Sequence, residues 1–98
     1  MDIIVYTSEK CPHCPKVKQL FKDMEKRVKG NTVNCVNFTF LTRELSLYIF
    51  IYNQILTIPT VDINDKYHNK LYRYTGVQEI MDNLESIENE ALSNEESN

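Results

Sequence analysis

Apolar positions along the chain switch between two spacings, and the switches predict its elements. Ile3, Ile4, Val5 and Tyr6 form a continuous apolar run inside Asp2–Thr7, the pattern of a short buried strand, and Ser8, Glu9 and Lys10 follow as a polar loop. From Pro12 the period lengthens: Val17, Leu20, Phe21, Met24 and Val28 recur at helical spacing, and Gly30 is a natural stop. Val33, Cys35, Val36, Phe38 and Phe40 predict a second strand of irregular alternation. Thr42 is placed to cap a second helix carrying Leu45, Leu47, Tyr48, Ile49, Phe50, Ile51 and Tyr52. A helix apolar nearly all round is expected to be the most buried one, or to offer part of its face to a partner. Pro59 opens a strand through Val61 and Ile63. Asn64, Asp65 and Asn69 supply turn chemistry before Leu71, Tyr72 and Tyr74 in a fourth strand, giving an antiparallel hairpin. After Gly76, the residues Val77, Ile80, Met81, Leu84 and Ile87 return to helical spacing.

The predicted order is βαβαββα. A parallel first pair joined by a right-handed crossover, with the hairpin added, gives an α/β fold: a four-stranded mixed sheet flanked by three helices on both faces. One domain over residues 1–91 accounts for every apolar segment, and 92–98 is an acidic tail too polar to bury anything, expected to be disordered.

Composition narrows the function classes. At 98 residues and 42% hydrophobic content the chain suits one small core. A net charge of −3 argues against general nucleic-acid affinity. No apolar run approaches a membrane span, and no basic segment followed by an apolar stretch opens the chain, so a cytosolic location is expected. Charge is uneven, with Lys10, Lys16, Lys18, Lys22, Lys26, Arg27 and Lys29 in the first third and Glu85, Glu88, Glu90, Glu95 and Glu96 near the end. The bland reading is a solvated helix face; the functional one is that nearby lysines stabilise an anion.

That anion has a candidate. Cys11-Pro12-His13-Cys14 lies at a predicted strand-to-helix junction, the setting of a dithiol redox pair. Unpaired N–H groups in a helix's first turn favour a thiolate on the leading sulfur, and the three-residue offset brings the second within bonding reach. Three other readings compete. A structural zinc site needs four ligands, and only Cys35, His13 and His68 remain as candidates. A structural disulfide over so short a loop constrains little of the unfolded chain. An inactive redox-fold module would be expected to have lost one sulfur, and both are present. Cys35 reads as a buried small hydrophobe or a third redox group. His68 reads as a solvated turn residue, and Tyr72, Arg73 and Tyr74 as strand positions without chemistry.

With these elements in order, the chain resembles the thioredoxin-like superfamily, in particular small glutaredoxin-like or archaeal-type thioredoxins. The resemblance rests on Tyr6-Thr7-Ser8-Glu9-Lys10-Cys11-Pro12-His13-Cys14-Pro15, on Thr57-Ile58-Pro59-Thr60-Val61, and on Gly76 ahead of the last helix. It implies a cis Ile58–Pro59 bond facing the dithiol, the Ile58 backbone presented as an edge for a substrate chain, and a docking groove shaped by Ile58, Pro59 and Gly76. Glutaredoxins usually have a lysine where Ser8 stands, an aromatic at His13 and a Gly-Gly pair where Thr75-Gly76 lies, all three bearing on glutathione binding. Typical thioredoxins have a tryptophan before the motif and a buried acid beneath it, and this chain has no tryptophan and no acid in its first strand after Asp2.

The activity implied is dithiol-disulfide exchange with protein disulfides: Cys11 attacks, Cys14 resolves, and His13 and Lys10 tune the thiolate. The alternatives are a glutathione-dependent glutaredoxin, a non-catalytic interaction module using the apolar second helix, and a metal-handling Cys-x-x-Cys protein. The expected partners are protein disulfides and an electron donor, either a reductase or glutathione, met by a monomer without nucleic acid or membrane. No metal or organic cofactor is expected, with glutathione entering as a substrate.

Overall fold

The computed structural model describes residues 1–31 and 36–93. Val33 and Cys35, with the readings attached to them, lie outside the described residues, as does the tail from 94. Strand β1 occupies Asp2–Thr7 and helix α1 Cys14–Asn31. Val17, Phe21, Met24 and Val28 form the buried stripe of α1, each at most 1% exposed. Burying one such side chain stabilises the fold by about 1.5 to 3 kcal/mol. The helix begins two residues later than Pro12, because Pro12 and His13 form a turn closed by the Cys14 N–H on the Cys11 carbonyl at 3.3 Å. Gly30 lies inside its last turn.

Strand β2, Asn37–Thr42, starts later than the apolar pattern predicts and pairs in parallel with β1, with Ile3 opposite Phe38 and Val5 opposite Phe40. Strands β3, Thr60–Asn64, and β4, Lys70–Thr75, form the hairpin, and β3 lies antiparallel to β1. The sheet order is β2-β1-β3-β4, the four-stranded mixed sheet expected.

Two helical expectations are corrected. Helix α2 spans only Leu47–Tyr52, led by Ser46 and not by Thr42, whose carbonyl instead accepts the Leu45 and Ser46 N–H groups. Of its two expected fates, burial does not hold: among the described helices it is the least buried, with Phe50 alone enclosed and Tyr48, Ile51 and Tyr52 80%, 68% and 77% exposed. Six residues make fewer than two turns at about 3.6 residues per turn, and Phe50 is the one side chain this helix buries. The last helix is divided into α3, Val77–Asp82, and α4, Leu84–Leu92, so among the described residues four helices flank the sheet and not three. Asn83 makes the break, its side-chain amide donating to the Glu79 carbonyl at 2.8 Å and its own N–H shared between Glu79 and Ile80.

The main core lies between α1, α3, α4 and one face of the sheet, joining Ile3, Val5, Val61, Ile63, Phe21, Met24, Ile80 and Ile87. Alternation sends Tyr6 and Asp62 to the opposite face, where Tyr6 meets Phe50 of α2 edge-on at 5.1 Å.

Candidate active site

Backbone pairing delivers β1 and β2 to the same end of the sheet and fixes the start of the loop that follows β1. The Thr7 hydroxyl donates to the Leu41 carbonyl at 3.1 Å, and the Arg43 N–H donates to the Thr7 carbonyl at 2.9 Å. Beyond Thr7, Glu44 clamps the loop. One carboxylate oxygen accepts the Ser8 hydroxyl at 2.7 Å and the other accepts the Glu9 N–H at 3.0 Å. The Ser8 hydroxyl accepts the Lys10 N–H at 3.2 Å, and the Ser8 carbonyl accepts the Cys11 N–H at 3.2 Å. The Glu9 N–H, then the Ser8 hydroxyl and the Lys10 charge, hold the Glu44 carboxyl below the usual carboxylate range.

Cys11 and Cys14 are joined as a disulfide with Cα atoms 5.4 Å apart. Their environments differ. Cys14, the first residue of α1, is 2% exposed, whereas Cys11 is half-buried on the turn outside the helix. Pro15 removes one N–H donor from the first helical turn. His13 and Lys10 both face solvent beside the pair. A cavity of about 210 Å³ lies against Cys14, bounded by Thr7, Ser8, Glu9, Pro15, Lys18 and Thr42. The Thr42 hydroxyl is buried there without a hydrogen-bond partner among the described residues.

The three residues expected to shape a docking groove, Ile58, Pro59 and Gly76, lie together. The Ile58–Pro59 bond is cis, Pro59 is buried, and its carbonyl accepts the Gly76 N–H at 2.8 Å. Gly76 has φ +85°, a conformation side chains disfavour, which is why glycine stands there. Thr60 pairs with Tyr6, so Pro59 lies at the end of the sheet where Thr7 leads to the dithiol. His68 is mostly exposed, with Nδ1 3.4 Å from an Asp2 carboxylate oxygen. Among the described residues no group of three His, Cys, Asp or Glu is arranged to hold a metal.

Sequence reasoning missed two features. Glu44 gave no signal, because its work is done across the gap between two loops. The second is a buried polar network on the α2 face. Asp62, 2% exposed, accepts Arg73 Nε at 2.6 Å and Arg73 Nη2 at 2.8 Å. Arg73 Nη2 also donates to the Asn53 carbonyl at 3.0 Å, and the Asn53 amide donates to the Tyr6 hydroxyl at 3.3 Å. Burial, then the Asp62 charge, push the Tyr6 phenol up to about 12. The available signal was an acid between the apolar Val61 and Ile63, and Arg73, expected to be a strand position without chemistry, stands opposite it in the hairpin register.

This disulfide-bonded cysteine pair at the head of α1, set in a β2-β1-β3-β4 sheet, coincides with a match to the sequence model described as glutaredoxin over residues 3–68. The chain belongs to the glutaredoxin family. Its fold is thioredoxin-like: thioredoxin 1 of Thermosipho africanus superposes with a TM-score of 0.73 at 19% identity, covering 91% of this chain and 92% of that one. The oxidised thioredoxin of Plasmodium falciparum gives 0.68 at 14% identity, over 88% of this chain and 79% of its own. Human ERp44 in its zinc-bound form gives 0.72 at 14% identity, over 92% of this chain and 27% of its own. Among curated proteins none matches the chain significantly. The glutaredoxin-family chain thus carries a Cys11–Cys14 pair at bonding distance on a thioredoxin-like scaffold.

Proposed function

We propose that this glutaredoxin-family chain is a cytosolic, monomeric dithiol-disulfide oxidoreductase acting on protein disulfides. The observation that carries the reading is the asymmetry of the pair: Cys11 is reachable on its turn while Cys14 is 2% exposed beneath it. In the reduced protein the Cys11 thiolate attacks a substrate sulfur and expels the other as thiolate, leaving a mixed disulfide. Cys14 then attacks Cys11, releasing the reduced substrate and forming the Cys11–Cys14 disulfide; two electrons pass to the substrate. The position of Cys11 ahead of the first helical turn, with the Lys10 charge and the His13 imidazole beside it, supports the thiolate. Ile58, Pro59 and Gly76 form the edge along which a substrate strand pairs. The chemistry needs no resident metal or organic cofactor.

The protein is expected to lose disulfide reduction in Cys11→Ser and to accumulate mixed disulfides in Cys14→Ser, read by mass spectrometry. Trapping on Cys14 in the Cys11→Ser variant would reverse the roles. A glutathione-dependent cycle is the second reading, favoured by the family match. Insulin reduction with thioredoxin reductase, set against hydroxyethyl disulfide reduction with glutathione, separates the two donors. The Ser8, His13 and Thr75 departures favour the reductase.

A further inference from the structure

The two flanks of α1 dispose of their charges differently. Toward α4, Arg27 binds Glu88 through two bonds of 2.7 and 2.8 Å. On the other flank Lys18, Lys22, Lys26 and Lys29 recur at intervals of four and three, which places them in one row. Lys22 Nζ lies 5.5 Å from the centre of the Phe40 ring, so at Lys22 this flank of α1 meets β2. The helix's own carboxylates leave most of this row uncompensated: Glu25 pairs with Lys29 at 3.0 Å, and Asp23 accepts the Gln19 amide. Among the described residues Lys18, Lys22 and Lys26 have no ion-pair partner. Strand β2 is an edge strand, and Asn37–Thr42 contains no charged residue to offset them. The acids Glu79, Asp82, Glu85, Glu88 and Glu90 lie on α3 and α4, so a net charge of −3 conceals a molecule with a basic side.

The row starts at the redox pair. Lys18 lines the cavity that Cys14 and Pro15 also line. From Lys18 to Lys26 it advances about 12 Å at the helical rise of ~1.5 Å per residue, the length of roughly four residues of extended chain. A ligand that engages both ends carries a disulfide at one and several negative charges beyond it. Nucleic acid and lipid headgroups bring charge without a disulfide, and a small disulfide is too short to follow the row.

We infer that Lys18, Lys22 and Lys26 recognise an acidic segment flanking the disulfide of a protein substrate. The inference rests on the oxidoreductase reading and names the substrate class of that same site. Complementary charge acts chiefly on encounter, raising association rates in a salt-dependent way.

The test uses the pre-reduced full chain and three disulfide peptides identical except for a flanking run of Glu, Gln or Lys. Hydroxyethyl disulfide serves as an uncharged reference. At low ionic strength the Glu peptide is expected to be reduced about tenfold faster than the Gln peptide, with the gap closing at high salt. In Lys22→Glu/Lys26→Glu the preference reverses while the hydroxyethyl disulfide rate holds. The control Lys66→Glu/Lys70→Glu makes the same change in net charge on the distant hairpin and keeps the preference. Equal rates for the Glu and Gln peptides overturn the inference, as does a preference that survives in the α1 variant or vanishes equally in the control. A DNA oligonucleotide that competes better than the Glu peptide overturns it in favour of nucleic acid. Failure to reduce any substrate, hydroxyethyl disulfide included, overturns the oxidoreductase reading itself.

Discussion

At the scale of single residues, Glu44 and Tyr6 each yield a measurable consequence. Glu44 holds Ser8 and Glu9 at once, and through the Ser8 carbonyl it fixes the turn that presents Cys11. Glutamine can still accept the Glu9 N–H and donate to the Ser8 hydroxyl, whereas alanine can do neither. Glu44→Ala is therefore expected to slow hydroxyethyl disulfide reduction several-fold with little change in melting temperature, and Glu44→Gln to keep most of the rate. Equal losses in both variants would show that the charge matters and not the clamp. Tyr6 reports through pH. Its phenol rises from the ordinary 10.0 to about 12 in the fold, so the folded chain holds that proton more tightly than the unfolded one. Its contribution is complete below pH 10 and is lost as pH climbs toward 12, a fall of roughly 2 to 3 kcal/mol across the interval. Urea denaturation at stepped alkaline pH should show that extra slope in the native chain and lack it in Tyr6→Phe.

At the scale of elements, the buried ion pair joins the hairpin to α2. Arg73 neutralises Asp62 within β3 and β4 and also binds the carbonyl of Asn53, the residue that closes α2. Arg73→Met leaves the enclosed Asp62 carboxyl without its partner, and the expected loss of stability is about 3 kcal/mol. Adding Asp62→Leu to that variant should recover most of it, because removing both charges removes the desolvation cost. A double variant no more stable than the single one would assign the loss to the Asn53 contact. The same elements show what the sequence made legible. Strand β1 and the buried stripe of α1 were readable because their period matches a single buried face. The Cys11–Cys14 pair and the cis Ile58–Pro59 bond were readable because a few residue types recur at those places in the superfamily. The burial of α2 was not, because apolar composition does not say how much neighbouring surface exists to cover it. The α3–α4 break turns on one asparagine side chain donating to a carbonyl, which hydrophobic period does not register. Glu44 and the Asp62–Arg73 pair depend on which loops and strands become neighbours, and that is a property of the assembled sheet.

At the scale of the whole molecule, the two faces of the sheet are unequally covered. One face carries α1, α3 and α4 over a continuous core, and the other carries α2, held by the Phe50 contact with Tyr6 and by the Arg73 bond to Asn53. Stability is thus expected to be uneven, with sparsely packed segments opening without global unfolding. The segment leaving α2 runs through Gln54–Ile58 to the proposed docking edge, so freedom in α2 passes directly to the residues that would meet a substrate strand. Native-state hydrogen exchange should find the amides of Ile3, Val5, Phe21 and Met24 opening near the global free energy, and those of Phe50 and Asn53 opening well below it. Arg73→Met should widen that difference, lowering protection in α2 by more than it lowers protection in α1. Uniform protection across both faces, or an equal loss in α1 and α2, would mean that Arg73 supports the molecule as a whole and that α2 moves only when everything does.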